Sequence, residues 1–219
     1  TLPSSRNQKD EYFPEHEIER KLCRWFDLIK QDAGAIYLLG DIFDYWFEYK
    51  TVVPRGFVRF LGKVADMTDL GIEIHFFTGN HDIWVTDYLQ KECGMIVHYE
   101  PLVKDIYGKK FFLAHGDGLG YDSKGFKVIH TLFHSKLCVK LFSGIHPRWT
   151  IPLAHAWSSH SRETGGVEDY LGEDNECLVR FSKQHLHKAP NINFFVFGHR
   201  HILLDLKIAS DSRVVILGD

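Results

Sequence analysis

Ala35-Ile36-Tyr37-Leu38-Leu39-Gly40-Asp41-Ile42-Phe43-Asp44 runs from a short apolar stretch directly into Gly-Asp, the pattern of a buried strand whose C-terminal end carries polar side chains. The same pattern occurs at three more places. Ile72 to Thr78 ends in Gly79-Asn80-His81-Asp82, Phe111 to Ala114 ends in His115-Gly116-Asp117, and Asn193 to Phe197 ends in Gly198-His199-Arg200-His201. In layered α/β folds the sheet brings strand ends that are distant in sequence side by side, and sites assemble in the loops after them. Four Gly-containing clusters of Asp, Asn and His at strand ends therefore point to an α/β fold with one shared cavity.

The segments around these runs are consistent with that fold. Glu15 to Lys30 places Ile18, Leu22, Trp25 and Ile29 at helical spacing, with Glu15, Glu17 and Glu19 where the helix dipole favours anions. Phe57, Phe60, Leu61, Val64 and Met67 predict a second helix closed by Gly71, and Val85 to Glu92 a third. Short strands are expected at Met95 to His98 and Leu102 to Tyr107, and Ile202 to Ile208 with Val214 to Leu217 as a closing hairpin.

Composition excludes several classes. The 219 residues are 44% hydrophobic and 25% charged, with 18 Gly and 7 Pro, which rules out disordered, collagenous and low-complexity chains and allows a single domain over 1–219. No run approaches the 18 or so apolar residues of a membrane span. A net charge of -3 is not that of a chain binding nucleic acid through bulk positive charge, so no nucleic-acid partner is expected. Cys23, Cys93, Cys138 and Cys177 never form a Cys-x-x-Cys pair, which argues against thiolate metal sites and a disulfide framework. Thr1 to Asp10 has no signal pattern, and a reducing cytoplasmic setting is expected.

Asp41, Asn80, His115, His199 and His201 offer carboxylate, amide and imidazole donors without thiolate, a set suited to Mn, Mg, Fe or Zn. Two divalent ions about 3.5 to 4 Å apart polarise a phosphoryl group and lower the pKa of water between them. Asp44 and Asp82 are either supports that orient histidine N–H groups or turn and cap carboxylates. Most of the remaining histidines read as surface or satisfied core residues.

Gly40-Asp41-Ile42-Phe43-Asp44, Gly79-Asn80-His81-Asp82, His115 and Gly198-His199-Arg200-His201 together resemble the signature of the calcineurin-type metallophosphoesterases, in the right order and over essentially the whole chain. Tyr37 to Phe47, His115-Gly116-Asp117-Gly118-Leu119 and a long helical insert before the last motif are similar to the UDP-2,3-diacylglucosamine hydrolases of lipid A synthesis within that superfamily. The resemblance implies a four-layer α/β/β/α sandwich with a helical lid at about 119–190 and two divalent metal ions, usually manganese. Carried over residue by residue, Asp41 matches the bridging ligand, Asn80, His115 and His199 match ligands of one ion, and His201 a ligand of the other. His81, beside Asn80, matches a residue that contacts phosphate or assists the leaving group. The implied reaction is hydrolysis of the pyrophosphate of UDP-2,3-diacylglucosamine to UMP and the lipid monophosphate, by an enzyme held peripherally on the inner face of the bacterial inner membrane. The family's opening Asp-x-His is not present before Gly40, and Asp10 and His16 lack its spacing, so the sequence is expected to start after that motif.

Residues 119–150 contain Lys124, Lys127, Lys136, Lys140 and Arg148 against the single acid Asp122. Phe126, Ile129, Phe133, Leu137 and Leu141 recur beside them at helical spacing, either as core or as a lid that takes acyl chains and lies against anionic lipid. Asp122, Ser159 and Arg162 are candidate substrate contacts, the last two within the hydroxyl-rich Trp157 to Arg162. Two alternatives stand beside the lipid-linked substrate. One is a soluble phosphodiesterase acting on nucleotides or nucleic acid, and the other a metal-depleted scaffold that only binds.

Overall fold

A computed structural model describes residues 15–121, 131, 133, 135–150 and 169–218, and the chain divides into two units, residues 1–99 and 100–219. Asp122, Ser159 and Arg162 lie outside the described residues, as do Phe126 and Ile129.

In the first unit the chain order is α1 (Glu15–Ile29), β1 (Ala35–Leu38), α2 (Val58–Asp69), β2 (Glu73–Phe77), α3 (Tyr88–Cys93) and β3 (Ile96–His98). The strands form a parallel sheet in the order β1-β2-β3, with Ile36 beside Ile74 and Leu38 beside Phe76. These four side chains lie on one face and pack with Phe26, Phe60, Val64, Met67 and Leu89 from the helices. Each such burial is worth about 1.5–3 kcal/mol of transfer free energy, which stabilises helices too short to persist alone. Phe43, just beyond β1, stacks among Trp46 at 4.4 Å, Phe57 at 4.8 Å and Phe60 at 5.7 Å, so the loop after β1 is anchored in the core.

Two helices of this unit are started by carboxylates from elsewhere in the chain. Phe57, preceding α2, has a positive φ of 58° and no capping side chain. The buried Glu19 of α1 supplies the missing acceptor, taking the amides of Arg59 at 2.8 Å and Phe60 at 3.0 Å. Glu48 does the same for α3, accepting from the amides of Asp87 at 2.8 Å and Tyr88 at 3.1 Å. This placement sets the start of α3 at Tyr88, three residues later than the apolar spacing predicts, while Val85 stays buried in the preceding turn.

On the other face of the sheet His75, only 5% exposed, stacks on Tyr37 at 4.6 Å and places Nδ1 2.9 Å from His98 Nε2. It is a satisfied core histidine, as read from sequence.

In the second unit, the hairpin β4 (Leu102–Ile106) and β5 (Lys109–Ala114) turns at Tyr107-Gly108, both at positive φ. With β6 (Phe194–Phe197), β7 (Leu203–Ala209) and β8 (Ser212–Leu217) these strands form a sheet ordered β4-β5-β6-β8-β7, whose central β5, β6 and β8 are parallel. The unit also contains α4 (Lys136–Ser143) and α5 (Cys177–Lys188), and residues 147–150 are helical. Leu178 and Val179 of α5 pack into Phe112, Ala114, Phe195, Phe197, Val214 and Ile216. Helix α5 thus belongs to the core of this unit although it lies within 119–190. The continuous helical spacing read through Leu137 and Leu141 is interrupted at Ser135, which is extended at ψ 116° and caps α4 by accepting from the Cys138 amide.

Candidate metal centre

In the first unit the parallel register carries the loops after β1 and β2 to the same edge of the sheet. Gly40 and Asp41 both have positive φ, 80° and 52°, a strained conformation for the aspartate. Asp41 Oδ1 accepts from the amide of His81 at 2.9 Å. The approach is so close that a Cβ on Gly79 would lie 2.6 Å from the Asp41 backbone nitrogen, so only glycine fits there.

The fully buried Asp82 holds both loops. Its Oδ1 accepts from the amides of Gly79 at 2.6 Å and Asp41 at 3.3 Å, and its Oδ2 from those of Ile42 at 2.9 Å and Phe43 at 3.4 Å. Four backbone donors replace the water that a buried carboxylate loses. Of the two roles read for Asp82, the structure gives it that of a loop carboxylate acting on backbone amides.

His81 Nδ1 lies 3.1 Å from the carbonyl oxygen of Asp44. A carbonyl only accepts, so Nδ1 carries a proton and donates it, which in the neutral ring makes Nε2 the basic nitrogen. The backbone of Asp44 therefore orients this ring. Trp46 N donates to the carbonyl of His81 at 3.1 Å, fixing the same loop from behind. Asn80 is exposed at the tip of the loop.

In the second unit, β5 and β6 are adjacent and parallel, which sets His115 and His199 next to one another. Gly198 N donates to His115 O at 3.0 Å, and the two rings meet edge to face with His199 Nδ1 3.2 Å from His115 Nε2. His199 has a positive φ of 60°, so the second unit also places strain at a candidate ligand. Tyr121 Oη approaches the other nitrogen, His199 Nε2, at 3.4 Å. His201 is exposed two residues further on.

Arg200, between the two histidines, pairs with Glu176. Its Nε donates to Glu176 Oε1 at 3.1 Å and its Nη2 to Oε2 at 3.2 Å, while Nη2 also reaches the carbonyl of Asp169 at 3.3 Å. Glu176 immediately precedes α5, so this pair ties the histidine loop to the core helix. Cys177, next in sequence, is raised in pKa mainly by burial, against a lowering hydrogen bond from Tyr121, and remains a thiol at neutral pH.

Sequence reasoning did not find Tyr121 or the Glu176–Arg200 pair. Nothing in residue spacing links Arg200 to an acid 24 positions earlier, because the contact is made by the packing of α5 on the sheet. The donors that sequence reading singled out occur in each unit at the C-terminal ends of parallel strands. In the second unit two imidazole nitrogens face one another at 3.2 Å, and the first unit offers carboxylate and amide donors without thiolate; each is a donor type that suits a hard-to-borderline divalent cation.

Comparison with known proteins places the chain among related sequences. A family model described as calcineurin-like phosphoesterase matches residues 16–203. The UDP-2,3-diacylglucosamine hydrolase of Porphyromonas gingivalis (strain ATCC BAA-308 / W83) is 47% identical over 216 residues, spanning 92% of this chain and 82% of that protein. Proteins of the same name from Serratia proteamaculans (strain 568) and Yersinia pseudotuberculosis serotype O:1b (strain IP 31758) are 26% and 25% identical, over 79% and 84% of this chain and 72% and 77% of theirs.

Proposed function

Since the chain belongs to the calcineurin-like phosphoesterase family, we propose that it hydrolyses the pyrophosphate bond of UDP-2,3-diacylglucosamine to UMP and the lipid monophosphate, a step of lipid A biosynthesis. The observation that carries this reading is the 47% identity, sustained over 92% of the chain, to a hydrolase of that substrate. The two sheets with their helices are consistent with the family fold. Residues 1–219 act in this reading as one catalytic domain, with a lid within about 119–190 that leaves out the core helix α5.

The family works with divalent metal ions, and we assign manganese as the occupant, held by Asp41, Asn80, His115, His199 and His201. When bound, the pair neutralises phosphoryl charge and acidifies water. In the overall reaction one P–O bond of the phosphoanhydride breaks, water's OH adds to the attacked phosphorus, and a proton goes to the departing phosphate oxygen. His81 is assigned to that proton or to a phosphoryl oxygen, because with Nδ1–H donated to the Asp44 carbonyl the ring's basic nitrogen is Nε2. Asp41 is placed by the His81 amide and by the cradle of Asp82. Asp122, Ser159 and Arg162 are assigned to the substrate.

Helix α4 and the helical residues 147–150 after it support a membrane-surface role for the lid. Leu137 and Leu141 are each 66% exposed, Trp149 is 71% exposed, and Lys140 and Arg148 accompany them. Exposed apolar side chains flanked by cations suit the boundary of an anionic leaflet, where each basic residue contributes on the order of 1 kcal/mol. No helix among the described residues is long and apolar enough to cross a membrane. Association is therefore assigned as peripheral, on the cytoplasmic face of the inner membrane.

The test is release of UMP from UDP-2,3-diacylglucosamine by the protein with manganese. UMP is the expected product. Turnover of a simple soluble diester without UMP release would replace the lipid reading with the soluble phosphodiesterase, and manganese-independent binding without turnover would leave only the scaffold.

A further inference from the structure

We propose that Asp82 is the positioning residue of the metal-ligand loops, its carboxylate setting the mutual placement of Asp41 and Asn80 before any cation binds. The inference rests on the proposed function for the identity of the ligands, and on hydrogen bonds within one unit for its geometry. Asp82 is 0% exposed and its carboxylate bridges two loops about 40 positions apart in sequence, joining Gly79 N to the amides of Asp41, Ile42 and Phe43. The oxygens divide the work, Oδ1 taking one amide from each loop and Oδ2 two successive amides of the loop after β1. Successive backbone N–H groups turned toward one anion form a concave nest, which fixes the chain path that carries them. Asp41 is thereby held at φ 52°, where its Oδ1 meets the His81 amide, and Asn80 sits between two residues, Gly79 and His81, that are both tied to these carboxylates.

The isosteric substitution Asp82→Asn isolates the claim. One carboxylate oxygen becomes an NH2, which cannot accept, so whichever way the amide is turned, two of the four backbone donors lose their acceptor and face another donor. Glu19→Gln is the matching control: Glu19 is likewise buried and accepts two backbone amides, but it starts α2 and touches neither loop.

The experiment titrates manganese into wild type, Asp82→Asn and Glu19→Gln, following free Mn2+ by electron paramagnetic resonance, with thermal unfolding of each metal-free protein alongside. Asp82→Asn is expected to bind manganese about 10-fold or more weakly. Glu19→Gln is expected to unfold at lower temperature with unchanged manganese affinity. Equal affinity in wild type and Asp82→Asn would overturn the inference, whatever the change in melting temperature. Wild type that binds no manganese would instead remove the proposed function. If Asp82→Asn does not fold, amide hydrogen exchange of metal-free wild type decides: strong protection at Ile42 and Gly79 supports the cradle, and exchange at unprotected rates overturns it.

Discussion

Arg200 and Glu176 form a two-pronged ion pair, Nε to Oε1 at 3.1 Å and Nη2 to Oε2 at 3.2 Å, with the glutamate fully buried and the arginine between two candidate metal ligands. The pair converts the packing of α5 on the second sheet into a fixed path for His199 and His201. Arg200→Ala leaves a buried carboxylate without its counter-charge, so urea unfolding is expected to show a loss of about 3–5 kcal/mol. Unchanged stability would mean that Glu176 finds another partner and that the pair does not hold the loop.

His81→Ala is expected to lower kcat by about 10²- to 10⁴-fold, the range for a proton-transfer group, with circular dichroism and melting temperature close to wild type. The ring is half-buried, at the end of a loop and outside the hydrophobic core, so little of the fold depends on it. A kcat within a few-fold of wild type would remove His81 from the chemistry.

Gly79→Ala tests the close approach to Asp41. The added methyl has no room beside the Asp41 carboxylate and backbone, so the loops must separate. Manganese affinity and activity are expected to fall together while the helices and sheets are retained. A crystal structure of the variant with an undisturbed Asp41 and full activity would contradict this.

Alkaline pH should weaken the fold through its buried thiols. Burial, with Glu92 nearby, pushes the Cys93 thiol from 9.0 up to about 11, while the unfolded chain ionises near the ordinary value. Between these values the unfolded state has lost a proton that the folded state retains, so stability declines as pH rises from about 9 to 11, by up to about 1.4 kcal/mol per pH unit from this group. Urea midpoints across that range should fall more steeply for wild type than for Cys93→Ala; parallel slopes would exclude the thiol as the cause.

Replacing Leu137 and Leu141 together by Glu should abolish sedimentation with vesicles of anionic phospholipid and leave the melting temperature nearly unchanged, because both side chains are largely exposed. Undiminished vesicle binding would dissociate α4 from the membrane.

Most strands and the first helices were legible in sequence because their signals are local. Ala35 to Leu38, Glu73 to Phe77 and Phe194 to Phe197 are apolar runs ended by Gly clusters, and α1 and α2 follow apolar residues at helical spacing. The start of α3 was less legible, because Glu48, some forty residues earlier, supplies its cap. The break at Ser135 was likewise obscured by apolar spacing that continues across it.

For the candidate site, residue types and order along the chain already determined which side chains offer ligand atoms and which chemistry they favour. Asp, Asn and His at strand ends, without cysteine, are donors suited to a hard or borderline cation. Only the tertiary structure decided how those side chains are held: Asp82 facing four amides, the Asp44 carbonyl accepting from His81 Nδ1, and Glu176 pairing with Arg200. The physical reason is that donor chemistry belongs to a residue and can be read at its position, whereas a hydrogen bond between distant positions forms only after the packing of sheets and helices has brought its two ends together.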